Sequence, residues 1–213
     1  MTTIALVHGL GGTGATMDPL ADLLTAAGHS CLTVTLPGHG TTPEDLEGVT
    51  WAELVAAVPD AEVVVVGQSM GGALALAAAS IRPSVRGVVA INTPPPDPDA
   101  LDGLEWRRSR GHDWIDGPPL ADGEAGYTRL PIGALVKMAR GVLDTDLAAV
   151  TVPVLLVNSA GDEVVDPASA DTIASALGGP VARLLLANSG HVATFGSDQG
   201  VLAAAICDFC ANL

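Results

Sequence analysis

Val63–Gly72, with the sequence VVVVGQSMGG, joins an apolar β-branched run to a glycine-flanked serine and then to an alanine-rich segment. Four consecutive valines without polar alternation predict a strand that is buried on both faces, as in a parallel sheet. The following residues, Ala73–Ser80, predict a helix that packs back on that strand. Ser69 would then lie at a tight turn that excludes side chains at Gly67 and Gly71. This arrangement predicts a nucleophile elbow with Ser69 as its nucleophile.

Length and composition predict one globular domain rather than two independent folds. The chain has 213 residues, of which 48% are hydrophobic and 15% charged, with a formal net charge of −15. Such a charge repels phosphate backbones, so no nucleic-acid partner is expected. The absence of a long apolar run and of a basic leader favours a cytoplasmic protein without stable membrane insertion. A neutral small molecule is the expected partner, and no oligomeric state is predicted.

Strand and helix patterns alternate along most of the chain, which predicts a mostly parallel sheet of about six strands flanked by helices. A Gly-rich loop follows the first strand, and its lack of a nucleotide-binding fingerprint disfavours phosphate binding. The predicted strands are Thr3–Val7, Cys31–Leu36, Val63 onward, Val85–Ile91, Pro153–Val157 and Arg183–Ala187. The predicted helices are Met17–Ala27, Trp51–Val58 with Thr50 as N-cap, Ala73–Ser80, one after Pro167, and one from about Asp198.

Residues 93–150 interrupt this alternation with a segment rich in Pro and Gly. We therefore predict an α/β core of residues 1–92 and 151–213, with residues 93–150 inserted as a small lid over the catalytic edge. The lid carries three aromatic side chains, and lining of a substrate pocket and ordinary packing are equally expected for them. These side chains are Trp106, Trp114 and Tyr127.

Two aspartates compete for the role of a catalytic acid. Asp166 precedes Pro167 and an Ala-rich stretch, so it is predicted to be a helix N-cap. Asp162 lies at the end of a predicted strand, where the catalytic loops of this architecture lie. His191 is the histidine that follows both Ser69 and Asp162 along the chain. We expect these three side chains to meet.

A serine hydroxyl needs a neighbouring base to become a good nucleophile, and imidazole serves best near neutral pH. His191 would accept the proton of Ser69, and Asp162 would hold the imidazole in the correct tautomer. The backbone N–H groups of Leu10 and Met70 are the expected oxyanion donors. Such chemistry requires neither metal nor cofactor. His39 is expected to fix its loop, and Cys207 and Cys210 to pack on one helix face.

These motifs resemble those of the α/β-hydrolase superfamily, and the resemblance runs from Ile4 to the C-terminus. Within it, the chain looks like bacterial carboxylesterases related to monoacylglycerol lipases. The resemblance implies cofactor-free hydrolysis of esters with short to medium acyl chains. It rests on four segments: HGLGG at 8–12, PGHG at 37–40, GDEVVDP at 161–167 and SGHV at 189–192.

Other activities of the same fold stay open. A thioesterase or a cofactor-free lyase would use the same three side chains, and a non-catalytic binding relative would keep the pocket. Dehalogenase and epoxide-hydrolase activities are disfavoured, because Ser69 replaces the aspartate nucleophile they need. If the core rather than the lid builds the acyl pocket, its walls are expected to be Val164, Val165 and Val192.

Overall fold

A computed structural model describes residues 1–117, 120 and 123–213 of the chain. Its centre is a six-stranded sheet in which every neighbouring pair is parallel. A separate pair of short antiparallel strands lies outside this sheet. The strands are β1 Thr3–Val7, β2 Ser30–Val34, β3 Val63–Gln68, β4 Val85–Ile91, β5 Trp114–Asp116, β6 Arg129–Pro131, β7 Val154–Ser159 and β8 Val181–Leu186.

The main sheet has the strand order β2-β1-β3-β4-β7-β8, so β3 lies near its middle. Helices cover both faces of the sheet, as expected for parallel strands that are connected through helices. The sequence analysis thus predicted the fold class and the six parallel strands correctly. The helices are α1 Asp18–Ala26, α2 Trp51–Ala57, α3 Met70–Ile81, α4 Pro98–Ser109, α5 Ile132–Asp144, α6 Ser169–Ala176 and α7 Gln199–Ala211.

The valine run of β3 supplies both hydrophobic cores. Val63 and Val65 point into the cluster beneath α2, α3 and α6, whereas Val64 and Val66 point into the cluster beneath α1 and α7. All four side chains are at most 1% exposed. Because alternate side chains of β3 face an apolar core on each side of the sheet, the strand has no polar face and its sequence is one continuous apolar run.

The segment between β4 and β7 contains α4, α5 and the β5–β6 pair. The two helices pack against each other, and α5 also contacts α2 and α3 of the surrounding fold. Near the end of the segment, Leu147 and Val150 are buried in the larger core cluster. The β5–β6 pair was not predicted from the sequence.

The C-terminal helix α7 packs its two cysteines against the second core cluster. Cys210 is buried and Cys207 is half-buried, and Cys31 lies against the same cluster. Burial raises the pKa of the Cys210 thiol to about 11, so this group stays protonated at neutral pH. None of the helices within the described ranges is both long and apolar enough to cross a bilayer.

Candidate active site

Ser69 lies in a strained turn between β3 and α3. Its backbone has φ of 55° and ψ of −120°, and its N–H donates to the Ile91 carbonyl at 2.8 Å. A non-glycine residue with positive φ is uncommon and is often associated with a functional site. A Cβ at Gly67 would overlap the Gly71 carbonyl, and one at Gly71 would overlap the Val7 carbonyl. The helix begins directly at Met70, three residues earlier than predicted.

The structure brings Ser69, His191 and Asp162 together at the carboxyl edge of the sheet. The Nε2 atom of His191 lies 3.0 Å from Ser69 Oγ, and its Nδ1 atom lies 3.0 Å from each carboxylate oxygen of Asp162. The Asp162 side chain is 1% exposed and that of His191 is 13% exposed. An imidazole in this position can accept the Ser69 proton at Nε2 while it donates from Nδ1 to the carboxylate.

The Asp162 carboxylate is held in its charged form by several donors. Burial alone would raise its pKa, but the hydrogen bond from His191 and the N–H groups of Val165 and Val164 hold the pKa below its ordinary value. These N–H groups donate to Oδ1 at 3.0 and 2.8 Å, respectively. The Asp162 carboxylate therefore also fixes the turn of its own loop, a role that was not predicted from the sequence.

Asp166 is not the N-cap of α6, which corrects the sequence-based prediction. Its Oδ1 accepts from the Ala168 N–H at 2.9 Å, and its carbonyl accepts from Ser169 at 2.8 Å. These bonds form a turn that leads directly into the helix, in which Ala168 occupies the N-cap position and Ser169 is the first residue. The aspartate does satisfy a free N–H, but it does so one turn before the helix.

The Gly-rich loop after β1 lies directly against Ser69, since a Cβ at Gly9 would lie 3.1 Å from Ser69 Cβ. The Gly9 carbonyl is held by two hydrogen bonds, one from His8 Nδ1 at 2.7 Å and one from the Gly12 N–H at 3.1 Å. In a trans peptide the next N–H points opposite to that carbonyl. The orientation of the Leu10 N–H is therefore fixed by groups on the far side of the loop.

Met70, the other predicted oxyanion donor, is the first residue of α3. The first N–H groups of a helix have no intrahelical partner and lie at its positive dipole end. The positions of Leu10 and Met70 are thus compatible with the oxyanion role.

Two buried histidines fix neighbouring loops, His8 the Gly-rich loop and His39 the loop at 37–40. His8 is fully buried, and its Nε2 accepts from the Leu36 N–H at 3.0 Å, which requires a neutral imidazole with its proton on Nδ1. The pKa of His8 is lowered to about 4, mainly by burial and to a smaller extent by the nearby His39, against the opposing effect of the Gly9 hydrogen bond. His39 donates from Nδ1 to the Pro37 carbonyl at 2.9 Å, and burial also lowers its pKa.

A cavity of about 260 Å³ opens beside Ser69 and His191. Its walls come from the Gly-rich loop, the loops that carry Asp162 and His191, and the segment between β4 and β7. Most of the side chains that line it are apolar. They include Leu10, Leu120, Tyr127, Leu130, Leu135, Met138, Val164, Val165 and Val192.

Trp106 and Trp114 are not among the described residues that line this cavity, which corrects one part of the pocket prediction. Trp106 is 58% exposed on α4, where Arg110 lies over its ring at 5.5 Å. Trp114 is covered by the guanidinium of Arg129 at 4.0 Å. Tyr127 does line the cavity, but its hydroxyl bonds to the backbone of residues 38 and 41 and leaves only the ring facing inward.

Several residues around the cavity were not predicted from the sequence. Leu130, Leu135 and Met138 line it from β6 and α5, and the amphipathic pattern of α5 was the available signal. Gln68 and Asn92 contact the His191 loop through buried side-chain amides. No local sequence pattern predicts such long-range hydrogen bonds.

Comparisons with known proteins agree with this architecture. Residues 4–205 match a family described as the alpha/beta hydrolase family. The chain is 33% identical to the thermostable monoacylglycerol lipase of Bacillus sp. (strain H-257), over 93% of this chain and 86% of that protein. It is 35% identical to a pimeloyl-[acyl-carrier protein] methyl ester esterase of Xanthomonas campestris pv. campestris, but over only 53% of this chain and 41% of that enzyme.

A solved structure of similar shape comes from work on LipS and LipT, two metagenome-derived lipolytic enzymes. It superimposes with a TM-score of 0.85 and 27% identity, covering 99% of this chain and 94% of that one. The elbow, the parallel sheet and the match over residues 4–205 lead to one conclusion. This chain belongs to the α/β-hydrolase family.

Proposed function

We propose that the protein is a serine hydrolase that cleaves neutral carboxylic esters with short to medium acyl chains, without a cofactor. One observation carries the proposal: Ser69 Oγ, His191 and Asp162 form a continuous series of 3.0 Å contacts. A hydroxyl, an imidazole and a buried carboxylate in this order constitute the apparatus of acyl transfer. The lipase and esterase relatives add support for a hydrolytic reaction.

In the proposed reaction, Ser69 Oγ attacks the ester carbonyl while His191 Nε2 takes its proton. The Asp162 carboxylate stabilises the resulting imidazolium. The N–H groups of Leu10 and Met70 stabilise the tetrahedral oxyanion, each contributing about 3 kcal/mol at the transition state. His191 then protonates the leaving alcohol, and a water molecule activated by the same imidazole hydrolyses the acyl-enzyme.

The cavity favours esters whose acyl part is short or medium in length. Its volume of about 260 Å³ is below the range of about 300–1,000 Å³ that is typical of pockets for drug-sized ligands. Its lining is mainly aliphatic, which suits an alkyl chain better than a charged group. By analogy with the Bacillus relative, a monoacylglycerol is our candidate natural substrate.

We further propose that residues 93–150 act as a lid that shapes the acyl pocket. Four apolar side chains from the second half of this segment line the cavity, namely Tyr127, Leu130, Leu135 and Met138. A closed wall on this side would also exclude water while the acyl-enzyme forms.

Turnover of p-nitrophenyl esters from acetate to palmitate tests the proposal. We expect the highest kcat/KM between butyrate and octanoate, and at least a 10³-fold loss in the Ser69→Ala variant, in line with removal of a triad member. An acyl-thioester of matched chain length, assayed in parallel, measures the competing thioesterase activity. Turnover of no ester, or turnover that survives Ser69→Ala, would contradict the proposal.

A further inference from the structure

Gln68 separates Gly67 from the proposed nucleophile, yet its side chain reaches the loop of the proposed base. The side chain is 1% exposed. Its Nε2 donates to the His191 carbonyl at 2.7 Å, and its Oε1 accepts from the Ala193 N–H at 3.3 Å. One amide therefore holds the backbone on both sides of Val192. The elbow and the base loop are linked through it.

Asn92 makes a second link to the same carbonyl from the end of β4. Its Nδ2 lies 2.7 Å from the His191 carbonyl, 3.1 Å from the Gly190 carbonyl and 2.9 Å from Ser159 Oγ. Its Oδ1 accepts from the Ser159 N–H at 2.8 Å. Ser159 ends β7, the strand that leads into the Asp162 loop. Asn92 thus connects the loops of the proposed acid and the proposed base.

The backbone conformation of Asn92 is uncommon for a non-glycine residue. Its φ is 46°, and the residue is fully buried. Asparagine tolerates the left-handed region better than most non-glycine residues. Asn92 and Gln68 together place two amide donors on the His191 carbonyl. The ring of the same residue lies 3.0 Å from both Ser69 and Asp162.

We propose that Gln68 and Asn92 are positioning residues that hold His191 in register with Ser69 and Asp162. The inference rests on the proposed function, in which His191 is the general base. Both residues act through the His191 backbone and touch no reacting atom. Misplacement of a catalytic group by about 1 Å can cost about 10²-fold in rate, so loss of either donor should affect the chemical step.

The variants Gln68→Glu and Asn92→Asp test this inference with minimal change of shape. Each keeps the oxygen that accepts from Ala193 or Ser159 and loses the N–H that donates to His191. At pH 8, kcat for p-nitrophenyl butyrate should fall about 10- to 100-fold, while KM changes less than about threefold. Gln199→Glu is the matched control. Gln199 Nε2 also donates to a backbone carbonyl, but to that of Thr194, in the turn before α7. Its kcat should stay within about twofold of the wild type.

A second measurement separates positioning from a merely structural role. In a His191→Ala background no imidazole remains to be positioned, so Gln68→Glu should change the residual rate less than about twofold. Equal losses in the two backgrounds would overturn the inference. If circular dichroism shows that Gln68→Glu does not fold, Gln68→Met replaces it in the same comparison of the wild-type and His191→Ala backgrounds. Methionine is uncharged and of similar length.

Wild-type turnover is the internal reference for both experiments. Its absence would contradict the proposed hydrolase and this inference together. Wild-type turnover combined with undiminished kcat in folded Gln68 and Asn92 variants would contradict this inference alone.

Discussion

At the residue scale, the two neighbouring aspartates 162 and 166 have different partners and should respond differently to the same substitution. Asp162→Asn should lower kcat about 10⁴-fold, because an amide no longer selects the Nδ1-protonated tautomer of His191. Asp166→Asn should leave kcat within about twofold and stability within about 0.5 kcal/mol, because the Asn oxygen can still accept from Ala168. Steady-state kinetics with p-nitrophenyl butyrate and urea unfolding measure the two effects. Equal losses of kcat would reject the assignment of Asp162.

His8 gives a prediction about stability and pH. Its pKa in the folded protein is about 4, below the ordinary value of 6.5, so the unfolded chain binds a proton in this range more readily than the folded one. The contribution of His8 is therefore complete above pH 6.5 and is lost as the pH falls towards 4. A depression from 6.5 to 4 is 2.5 pH units, which corresponds to about 3 kcal/mol.

Urea unfolding at pH 7.5 and pH 4 tests this prediction. The wild type should lose about 3 kcal/mol more free energy of unfolding across this interval than His8→Gln, which has no imidazole to protonate. The carboxylates with depressed pKa values, Asp162 among them, are common to both proteins and cancel in the difference. The same pH dependence in both proteins would show that His8 does not carry the effect.

At the element scale, helix α5 should set the length of the acyl chain. Leu135 lies on the face of α5 that lines the cavity, so Leu135→Trp should fill space that a longer chain would occupy. We expect the ratio of kcat/KM for octanoate to that for acetate to fall at least tenfold. The loss of contacts by a few methylenes would suffice for this tenfold change, because each contributes about 0.8 kcal/mol.

Trp106→Ala on the neighbouring helix α4 is the control for the Leu135 experiment. Trp106 is exposed and away from the cavity, so its removal should leave the chain-length profile unchanged. An unchanged profile in Leu135→Trp, or a changed one in Trp106→Ala, would place the acyl pocket elsewhere.

Elements with a strong local pattern were predicted well, and those whose position depends on distant contacts were not. The valines of β3 and the capping box of Thr50 with Glu53 carry their signals within a few residues, and both features are present in the structure. The face on which Trp106 lies depends on how α4 packs against α5, and the aromatic residue itself contains no such information. The start of α6 was missed because a turn at Asp166 imitates a helix N-terminus.

At the scale of the whole molecule, the strand order explains why three distant residues meet. β3, β7 and β8 run parallel, so the loops that follow them, with Ser69, Asp162 and His191, all emerge at one edge. This convergence could be inferred from the sequence, since it follows from the alternation of strands and helices. The amide links of Gln68 and Asn92 to residue 191 could not, because they join positions 123 and 99 residues apart.

In the proposed mechanism, Ser69 is a nucleophile activated by His191. Labelling with a fluorophosphonate, followed by peptide mass spectrometry, tests it most directly, because the probe reacts covalently with activated serines and requires no knowledge of the natural substrate. We expect a single adduct on the peptide that contains Ser69, no adduct in Ser69→Ala, and much slower labelling in His191→Ala. An adduct on another residue, or labelling of Ser69→Ala at the wild-type rate, would contradict it.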